Sequence, residues 1–132
     1  MGMTGVLVLA HGSRNGETEA SFEQIVAYAR GKLDVEYIET AYMEFRGVNL
    51  EKGMLNLVNK GVTDIRIVPY FLFDGMHIRE YIPGKIREFQ KDHPGIDVTL
   101  GKTLGVDKRL ADVLADRIRE TLRKNDCPSC GE

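Results

Sequence analysis

Residues 5–10, GVLVLA, are apolar at almost every position, and the spacing of the apolar residues changes directly after them. A short run of this kind is typical of a β-strand that is covered on both faces of its sheet. The next apolar residues recur at helical spacing and predict an amphipathic helix over 17–33: Phe22, Ile25, Val26, Ala29 and Leu33. The chain therefore begins with a buried strand that is followed by a helix.

The same succession of strand and helix is repeated further along the chain. Residues 35–43 are rich in β-branched and aromatic side chains, which favours a strand, and Asn49 is placed to cap a helix that Gly61 ends. Residues 64–73, DIRIVPYFLF, predict the third strand. Pro69 has no backbone donor, so regular strand pairing is expected to stop at about this residue.

Two further helices complete the pattern. Pro83 fits the first turn of the third helix, and HPG at 93–95 closes that helix. A fourth strand is expected at roughly 96–101, and Asp107 is placed to cap the last helix. The third helix is expected to bury Ile82, Ile86 and Phe89. The last helix has the clearest apolar stripe in the chain: Leu110, Val113, Leu114, Ile118 and Leu122.

Four units of strand and helix predict a parallel sheet with helices on both faces, because parallel neighbours need crossover connections and these are right-handed. The expected fold class is α/β, a three-layer α/β/α sandwich with a four-stranded parallel sheet in the flavodoxin-like order 2-1-3-4. We expect one domain over residues 1–125 and a disordered tail over 126–132. Strands 1 and 3 are then neighbours, and ligands bind in the crevice beyond their carboxyl ends.

Composition narrows the possible function classes. The 132 residues are 42% hydrophobic and 29% charged, and the formal net charge is −2 with Lys and Arg spread along the chain. No stretch approaches the roughly 20 apolar residues of a membrane span, so neither a membrane nor a nucleic acid is an expected partner. The first residues do not resemble a secretion signal, and we expect a cytoplasmic protein. The only cysteines are Cys127 and Cys130, so disulfides cannot stabilise the domain.

Polar residues follow the predicted strands at the edge where ligands bind. His11 directly follows strand 1, His77 lies just past strand 3, and Glu44 follows strand 2. Two imidazoles and a carboxylate are therefore expected to converge from three loops. This set suits transient binding of a metal ion, because a structural zinc site needs four closed ligands, and a histidine also accepts protons at neutral pH. Glu44 can equally cap the second helix or pair with Arg46.

Other chemistries leave different patterns. The sequence contains no GxSxG, GxGxxG or GxxxxGK[ST] motif, which excludes an ordinary esterase, a dinucleotide site and a P-loop. Residues 12–18, GSRNGET, leave open the phosphate-binding loop of a flavodoxin-like module.

His93 is predicted to be a solvated turn residue with no role. The CPSC motif at 127–130 supplies only two ligands, so we expect a tail without an essential role, with an inter-subunit metal or redox site as the alternative.

Three segments together resemble a known family. LVLAHGSR at 7–14, YMEF at 42–45 and IRIVPYFLFDGMHIREYIP at 65–83 are similar to the small sirohydrochlorin chelatases of the class II chelatase superfamily, over about residues 5–123. The resemblance implies insertion of a divalent metal ion into the tetrapyrrole sirohydrochlorin, in cobalamin or related tetrapyrrole biosynthesis. Co²⁺ is the favoured metal, with Ni²⁺ or Fe²⁺ as alternatives. The resemblance also implies a homodimer, and no organic cofactor is expected.

The resemblance further implies roles for individual residues. His11 and His77 match the two histidines that bind the metal and help to remove pyrrole protons, and Glu44 matches an acidic position. Tyr81 stands where many relatives have an acidic residue. The substrate carries eight carboxylates, so three arginines are candidate partners for them, or else simply exposed charges: Arg14, Arg46 and Arg79. Four apolar residues are expected to pack against the ring, or else to be core or dimer contacts: Phe71, Leu72, Phe73 and Met76.

Overall fold

A computed structural model describes residues 2–45 and 47–123, except for the side chains of Met76 and His77. Strands and helices alternate in the order β1 Thr4–Ala10, α1 Gly16–Arg30, β2 Tyr37–Tyr42, α2 Leu50–Asn59, β3 Asp64–Pro69, α3 Met76–Asp92, β4 Asp97–Leu100 and α4 Lys108–Leu122. All strand pairs are parallel, and the sheet order is β2-β1-β3-β4. The predicted α/β fold class and the strand order 2-1-3-4 are therefore confirmed.

The larger part of the core lies between the sheet and the helices α2 and α3. Its strand side chains come from alternate positions of β1 and β3, as the two-residue period of a strand requires. The helices contribute apolar residues at helical spacing to the same cluster. The fully buried members from these elements are Leu7, Leu9, Ala41, Ile65 and Ile67 from the strands, Met54 and Leu57 from α2, and Ile82 from α3.

The opposite face of the sheet packs against α1 and gives the sandwich its third layer. Phe22 and Val26 of α1 lie against Ala10, Ile38 and Tyr42 of the sheet. The Tyr42 hydroxyl donates a hydrogen bond to the Glu23 carboxylate at 2.7 Å, which joins α1 to β2. Burial of the phenol and the neighbouring Glu23 carboxylate both raise the pKa of Tyr42.

Several predicted boundaries of strands and helices are wrong by a few residues, and Pro83 does not lie in the predicted first turn of its helix. Helix α3 begins at Met76, so Pro83 lies inside the helix and not in its first turn. An internal proline removes one hydrogen bond of a helix, yet the buried side chain of Ile82 keeps this segment packed against the sheet. Strand β3 ends at Pro69 and does not extend to residue 73. Helix α1 ends at Arg30, which leaves Leu33 outside it.

The cap of α4 is as predicted, but its apolar stripe is not covered. The Asp107 side chain accepts a hydrogen bond from the Arg109 amide at 2.9 Å, and Arg109 holds the pKa of that carboxyl well below its usual range. Helix α4 buries no residue. Four residues of its stripe have exposed fractions from 49% to 77%: Val113, Leu114, Ile118 and Leu122. None of the helices in the described part is long and apolar enough to cross a membrane. Residues 126–132, with Cys127 and Cys130, lie outside the described part.

Candidate active site

The carboxyl ends of β1 and β2 bring His11 next to Glu44. The two strands are paired in register up to Ala10 and Tyr42. The backbone pairing continues past the strands, because the Met43 amide donates to the Ala10 carbonyl at 2.9 Å and the Glu44 amide donates to the His11 carbonyl at 3.1 Å. Two residues that are 33 positions apart in the sequence thus become neighbours at one edge of the sheet.

Gly12 allows the two loops to approach this closely. Its φ is +100°, a conformation that side-chain-bearing residues rarely adopt. A Cβ atom at this position would overlap the backbone carbonyl oxygen of Glu44, which is not the flexible end of a side chain and cannot simply swing away. The two residues of the HG dipeptide therefore have different roles. His11 provides the side chain that faces the site, and Gly12 forms the turn that holds His11 there.

The imidazole of His11 and the carboxylate of Glu44 form a direct contact at the surface. His11 Nε2 lies 2.8 Å from Glu44 Oε1, and the two side chains are 64% and 48% exposed. The edge of the His11 ring meets the ring of Phe71, with the centroids 6.4 Å apart. The predicted convergence of these two residues is confirmed, and both remain open to a molecule that approaches from solvent.

The loop after β3 provides the third side of the site. His77 is the second residue of α3, and its helix begins just beyond the carboxyl end of β3, which is the strand beside β1. The side chains of His77 and Met76 lie outside the described part, so their convergence with His11 stays a prediction. Leu72 and Phe73 are 54% and 68% exposed, and Phe73 is therefore not a core residue.

Phe45 is a residue of this site that the sequence pattern does not predict. Its φ is +73°, which is costly for an aromatic residue, and its ring is 55% exposed. The guanidinium of Arg14 lies 5.1 Å from the centre of the ring, in the range of a cation–π contact. Arg14 and Phe45 thus form one exposed unit directly beside Glu44.

A second group of charges lies near the end of β3. Arg79 Nε is 3.9 Å from Asp74 Oδ2, and both side chains are largely exposed. They line a groove of about 270 Å³ together with Lys102. Lys102 follows β4, and the sequence does not predict it as a residue of the site. Tyr81 is 41% exposed, and Lys85 lies 5.7 Å from the centre of its ring. Arg46 lies outside the described part.

Two alternatives drawn from the sequence do not agree with the structure. Glu44 does not cap α2, because the cap of that helix is Asn49, whose side chain accepts from the Lys52 amide at 2.8 Å. The loop before α1 is also satisfied within itself, since Asn15 accepts from the Glu17 amide, and the first turn of the helix carries two carboxylates. An anionic phosphate would meet those negative charges, which disfavours the phosphate-binding loop.

His93 lies apart from this site and is not simply solvated, as the sequence suggested. Its ring stacks on Phe89 with the centroids 4.1 Å apart, and Nδ1 lies 3.0 Å from the Phe89 carbonyl oxygen. It contributes to the wall of a cavity of about 630 Å³ between α2 and the end of α3. Neither His11 nor Glu44 lines that cavity, so its size does not make it the better candidate for the chemistry.

The family model of CbiX matches residues 5–121, which is most of the sequence. The chain belongs to the CbiX family. This CbiX chain is 33% identical over 119 residues to the sirohydrochlorin ferrochelatase of Priestia megaterium, a match that covers 90% of the chain and 45% of the relative. It therefore spans about half the length of that curated relative.

Shorter relatives match the CbiX chain over nearly their whole length. The sirohydrochlorin cobaltochelatase of Methanosarcina acetivorans is 30% identical over 125 residues, which is 89% of the chain and 96% of the relative. Among solved structures, a CbiX protein from Marinobacter aquaeolei VT8 superposes with a TM-score of 0.76 at 28% identity. That superposition covers 91% of this chain and 98% of the other.

The described residues of this CbiX chain supply an incomplete set of metal ligands. Among the described side chains, no three His, Cys, Asp or Glu residues lie close enough together to hold a metal ion. His11 and Glu44 offer one nitrogen and one oxygen at 2.8 Å. Two ligand atoms on one metal ion, at about 2.1 Å each and at angles of about 90–110°, are about 3.0–3.4 Å apart. A shift of a few tenths of an ångström would therefore let an ion enter between them.

Proposed function

We propose that this chain inserts a divalent metal ion into sirohydrochlorin. The observation that carries the proposal is the contact between His11 Nε2 and Glu44 Oε1, at 2.8 Å and exposed at the carboxyl edge of the sheet, in a chain of the CbiX family. An exposed base beside a carboxylate provides both functions that metal insertion requires, which are a place for the ion and an acceptor for protons. The names of its relatives as sirohydrochlorin chelatases support the same substrate.

The reaction exchanges two pyrrole protons of the macrocycle for one M²⁺ ion. We assign proton removal and metal binding to His11 and His77, because imidazole binds transition metals and accepts a proton near neutral pH. Each pyrrole proton passes to an imidazole or to water, and the pyrrole nitrogens replace the protein ligands on the metal. No electron is transferred, so the metal keeps its oxidation state.

Glu44 is assigned to hold the ion together with His11. The carboxylate also fixes the orientation of the imidazole through the 2.8 Å contact. A site with two or three protein ligands binds metal less tightly than the four nitrogens of the macrocycle, so the ion leaves the protein once the ring is in place. A closed site with four ligands would instead retain the ion.

Binding of the ring is assigned to the exposed charges and apolar residues around His11. Arg14, Arg79 and Arg46 are proposed partners for the substrate carboxylates, since guanidinium binds carboxylate through two parallel hydrogen bonds. Phe73 and Met76 are proposed to pack against the flat ring. Phe45 joins this set, because its exposed ring is held beside Arg14 and next to Glu44.

We propose Co²⁺ as the physiological metal, with Ni²⁺ or Fe²⁺ as the alternatives. The support is that relatives which match over nearly their full length are named as cobaltochelatases. We also propose a homodimer, since relatives such as the Priestia megaterium enzyme are about twice as long as this chain. A cytoplasmic location stays a prediction, in keeping with a sequence that has no cysteine before Cys127.

The test is to mix the purified protein with sirohydrochlorin and Co²⁺, Ni²⁺ or Fe²⁺ and to follow the absorbance of the macrocycle. We expect insertion well above the protein-free rate with at least one metal. His11→Ala and His77→Ala should each lose most of the activity while they keep the helical content of the wild type. Glu44→Gln, which keeps a hydrogen-bonding group at the same position, separates the carboxylate charge from the orientation of His11.

His93→Ala is the matched control, because it removes the remaining histidine of the sequence at a distance from the site. It should keep near wild-type activity at temperatures where the variant is folded. Insertion no faster than the protein-free rate with all three metals would contradict the proposed function. Equal losses in all three histidine variants would contradict the roles assigned to His11 and His77.

A further inference from the structure

A small groove lies beside the candidate active site, at the carboxyl ends of β3 and β4. Its volume is about 270 Å³, and its walls include the aliphatic side chains of Ile78 and Leu100. The charged residues among its described lining are Asp74, Arg79 and Lys102. Pockets that enclose a whole small-molecule ligand measure roughly 300–1,000 Å³. The groove is therefore of a size to take one part of a large ligand.

The charges of the groove favour an anion. Arg79 and Lys102 supply two positive charges against the single carboxylate of Asp74. Arg79 Nε lies 3.9 Å from Asp74 Oδ2, whereas a charge-assisted hydrogen bond between such groups measures about 2.7–2.9 Å. Arg66 and Arg109, by comparison, each approach a carboxylate to 2.7 Å. Within the described part of the chain, Lys102 has neither a hydrogen bond nor an ion pair, so both cations keep donors for a ligand.

The backbone around Lys102 is fixed on both sides. Before it, the Gly101 amide donates to the Ile67 carbonyl at 2.7 Å, which continues the pairing of β3 and β4 past the end of β4. After it, the Leu104 amide donates to the Phe71 carbonyl at 2.9 Å. A cation on such a fixed backbone loses less conformational freedom when it binds a ligand than one on a mobile loop.

The same loop connects the groove to the candidate active site. The ring of Phe71 meets the ring of His11, with the centroids 6.4 Å apart, and His77 immediately precedes Ile78 of the groove. The groove thus borders the site on the side of β3 and β4, whereas Arg14 borders it on the side of β1 and β2. The end of β4 is two or three strand spacings from the ends of β1 and β2, about 10–14 Å. Only a large ligand with several negative charges contacts both sides at once.

The chemistry of the groove suits a carboxylate on a short aliphatic arm. The aliphatic walls contact methylene groups, and the two cations bind the carboxylate. A free inorganic anion would make no use of the aliphatic walls, and an apolar ligand would leave both cations without a partner. The macrocycle of the proposed function carries eight carboxylates at its periphery, which matches this requirement.

We propose that Lys102 and Arg79 together bind one carboxylate arm of the macrocycle in this groove. The inference rests on the proposed function and adds Lys102 as a residue that binds the substrate. With Arg14 bound to a second carboxylate on the other side of His11, the ring is held at two points. Such a site favours macrocycles whose carboxylates have the matching separation.

The experiment titrates the full chain with metal-free sirohydrochlorin and follows the absorbance of the macrocycle, while steady-state insertion at saturating metal gives KM and kcat. Lys102→Gln should raise the dissociation constant and KM about 10-fold or more, because a hydrogen bond between charged groups is lost, and should leave kcat within about twofold. Lys102→Arg keeps the charge and should stay close to the wild type.

Lys32→Gln is the matched control, because it removes the same charge at the opposite edge of the sheet. Helix α1 starts at the carboxyl edge of the sheet and runs back to the amino edge, where the exposed Lys32 follows its last residue, Arg30. The variant should bind sirohydrochlorin and insert metal as the wild type does.

Double substitution shows whether the two cations share one carboxylate. The loss of affinity in Arg79→Gln combined with Lys102→Gln should differ from the product of the separate losses by about threefold or more, because both side chains contact the same group. Arg14→Gln combined with Lys102→Gln should give the product, since Arg14 is assigned to a different carboxylate.

Circular dichroism shows that each variant is folded. Binding by Lys102→Gln that equals binding by Lys32→Gln overturns the groove, and so does a Lys102→Arg variant that is as weak as Lys102→Gln. A wild type that binds the macrocycle but inserts no metal overturns the chelatase activity alone. A wild type that does not bind the macrocycle overturns both.

Discussion

At the scale of single residues, the site depends on backbone conformations as much as on the side chains that do the chemistry. His11 and Glu44 contribute the reactive groups, whereas Gly12 and Phe45 shape the loops that present them. Both have positive φ angles, but only Gly12 adopts such an angle without strain. The two loops therefore offer two substitutions with opposite expected effects on the stability of the fold.

Gly12→Ala should destabilise the protein and reduce activity. The new Cβ would overlap the Glu44 carbonyl oxygen in a backbone conformation that alanine disfavours, so we expect the free energy of unfolding to fall by about 2 kcal/mol or more. Urea denaturation measures this change. Gly84→Ala is the matched control: it lies inside α3 with space for a methyl group and should raise stability by about 0.5–1 kcal/mol. An unchanged stability of Gly12→Ala would contradict the close approach described here.

Phe45→Gly should stabilise the fold and weaken substrate binding. Glycine relieves the cost of φ at +73°, a gain of about 1 kcal/mol, while loss of the ring removes the contact with Arg14 and the proposed contact with the macrocycle. Phe45→Ala removes the ring but keeps a Cβ, so the difference in unfolding free energy between the two variants isolates the strain. KM for sirohydrochlorin should rise in both variants. An unchanged KM would remove Phe45 from the set of substrate contacts.

The residues of this site differ in how far the sequence predicts them. His11 and Glu44 could be predicted because a parallel sheet places the residues after neighbouring strands at one edge. Phe45 could not, because a phenylalanine gives no sign that its backbone is left-handed. Lys102 was missed because a lone lysine after a strand resembles any exposed charge, and only the groove that it shares with Arg79 distinguishes it.

At the scale of elements, residues that end or cap a helix could be predicted where the chemistry is local. Asn49 and Asp107 each accept a hydrogen bond from an amide in the first turn of their helix, as their short polar side chains suggest. Pro83 departs from its predicted position for the opposite reason. Its preference for the first turn is local, but the burial of Ile82 and Phe89 extends α3 through it, and tertiary packing exceeds the cost of one lost hydrogen bond.

Asn49→Ala should lower the free energy of unfolding by about 1 kcal/mol. The substitution leaves the Lys52 amide without its 2.8 Å partner at the start of α2, a helix that buries Met54 and Leu57 in the core. Thermal or urea denaturation gives the difference. Asn49→Asp keeps an acceptor at the cap and should stay within a few tenths of a kcal/mol of the wild type. Equal losses in both variants would mean that the cap does not stabilise α2.

At the scale of the whole molecule, the sheet order and the presence of helices on both faces follow from the alternation of strands and helices. The position of α4 does not follow from that alternation. The stripe at Leu110, Leu114, Ile118 and Leu122 is as amphipathic as a core helix, and sequence periodicity does not distinguish a helix that covers its own sheet from one that covers another chain. In the structure, Leu114, Ile118 and Leu122 of α4 stay largely exposed.

The proposed dimer makes thermal stability depend on protein concentration. Association stabilises the folded state by mass action, so the Tm of the wild type should rise by several degrees between micromolar and tenfold or hundredfold higher concentrations. Differential scanning calorimetry across that range measures the change. A wild-type Tm that is independent of concentration would count against a dimer that forms with folding.

Each edge of the sheet has a feature that limits the addition of another strand. Strand β4 is four residues long and lies between Gly95 and Gly101, so an added strand would gain few backbone hydrogen bonds there. At the opposite edge, the Tyr42 amide already donates to the Val48 carbonyl at 2.7 Å, which occupies the end of β2. A short edge and an edge that is occupied at its end offer an added strand fewer backbone groups, which works against the open-ended, fibre-like growth that threatens exposed strands.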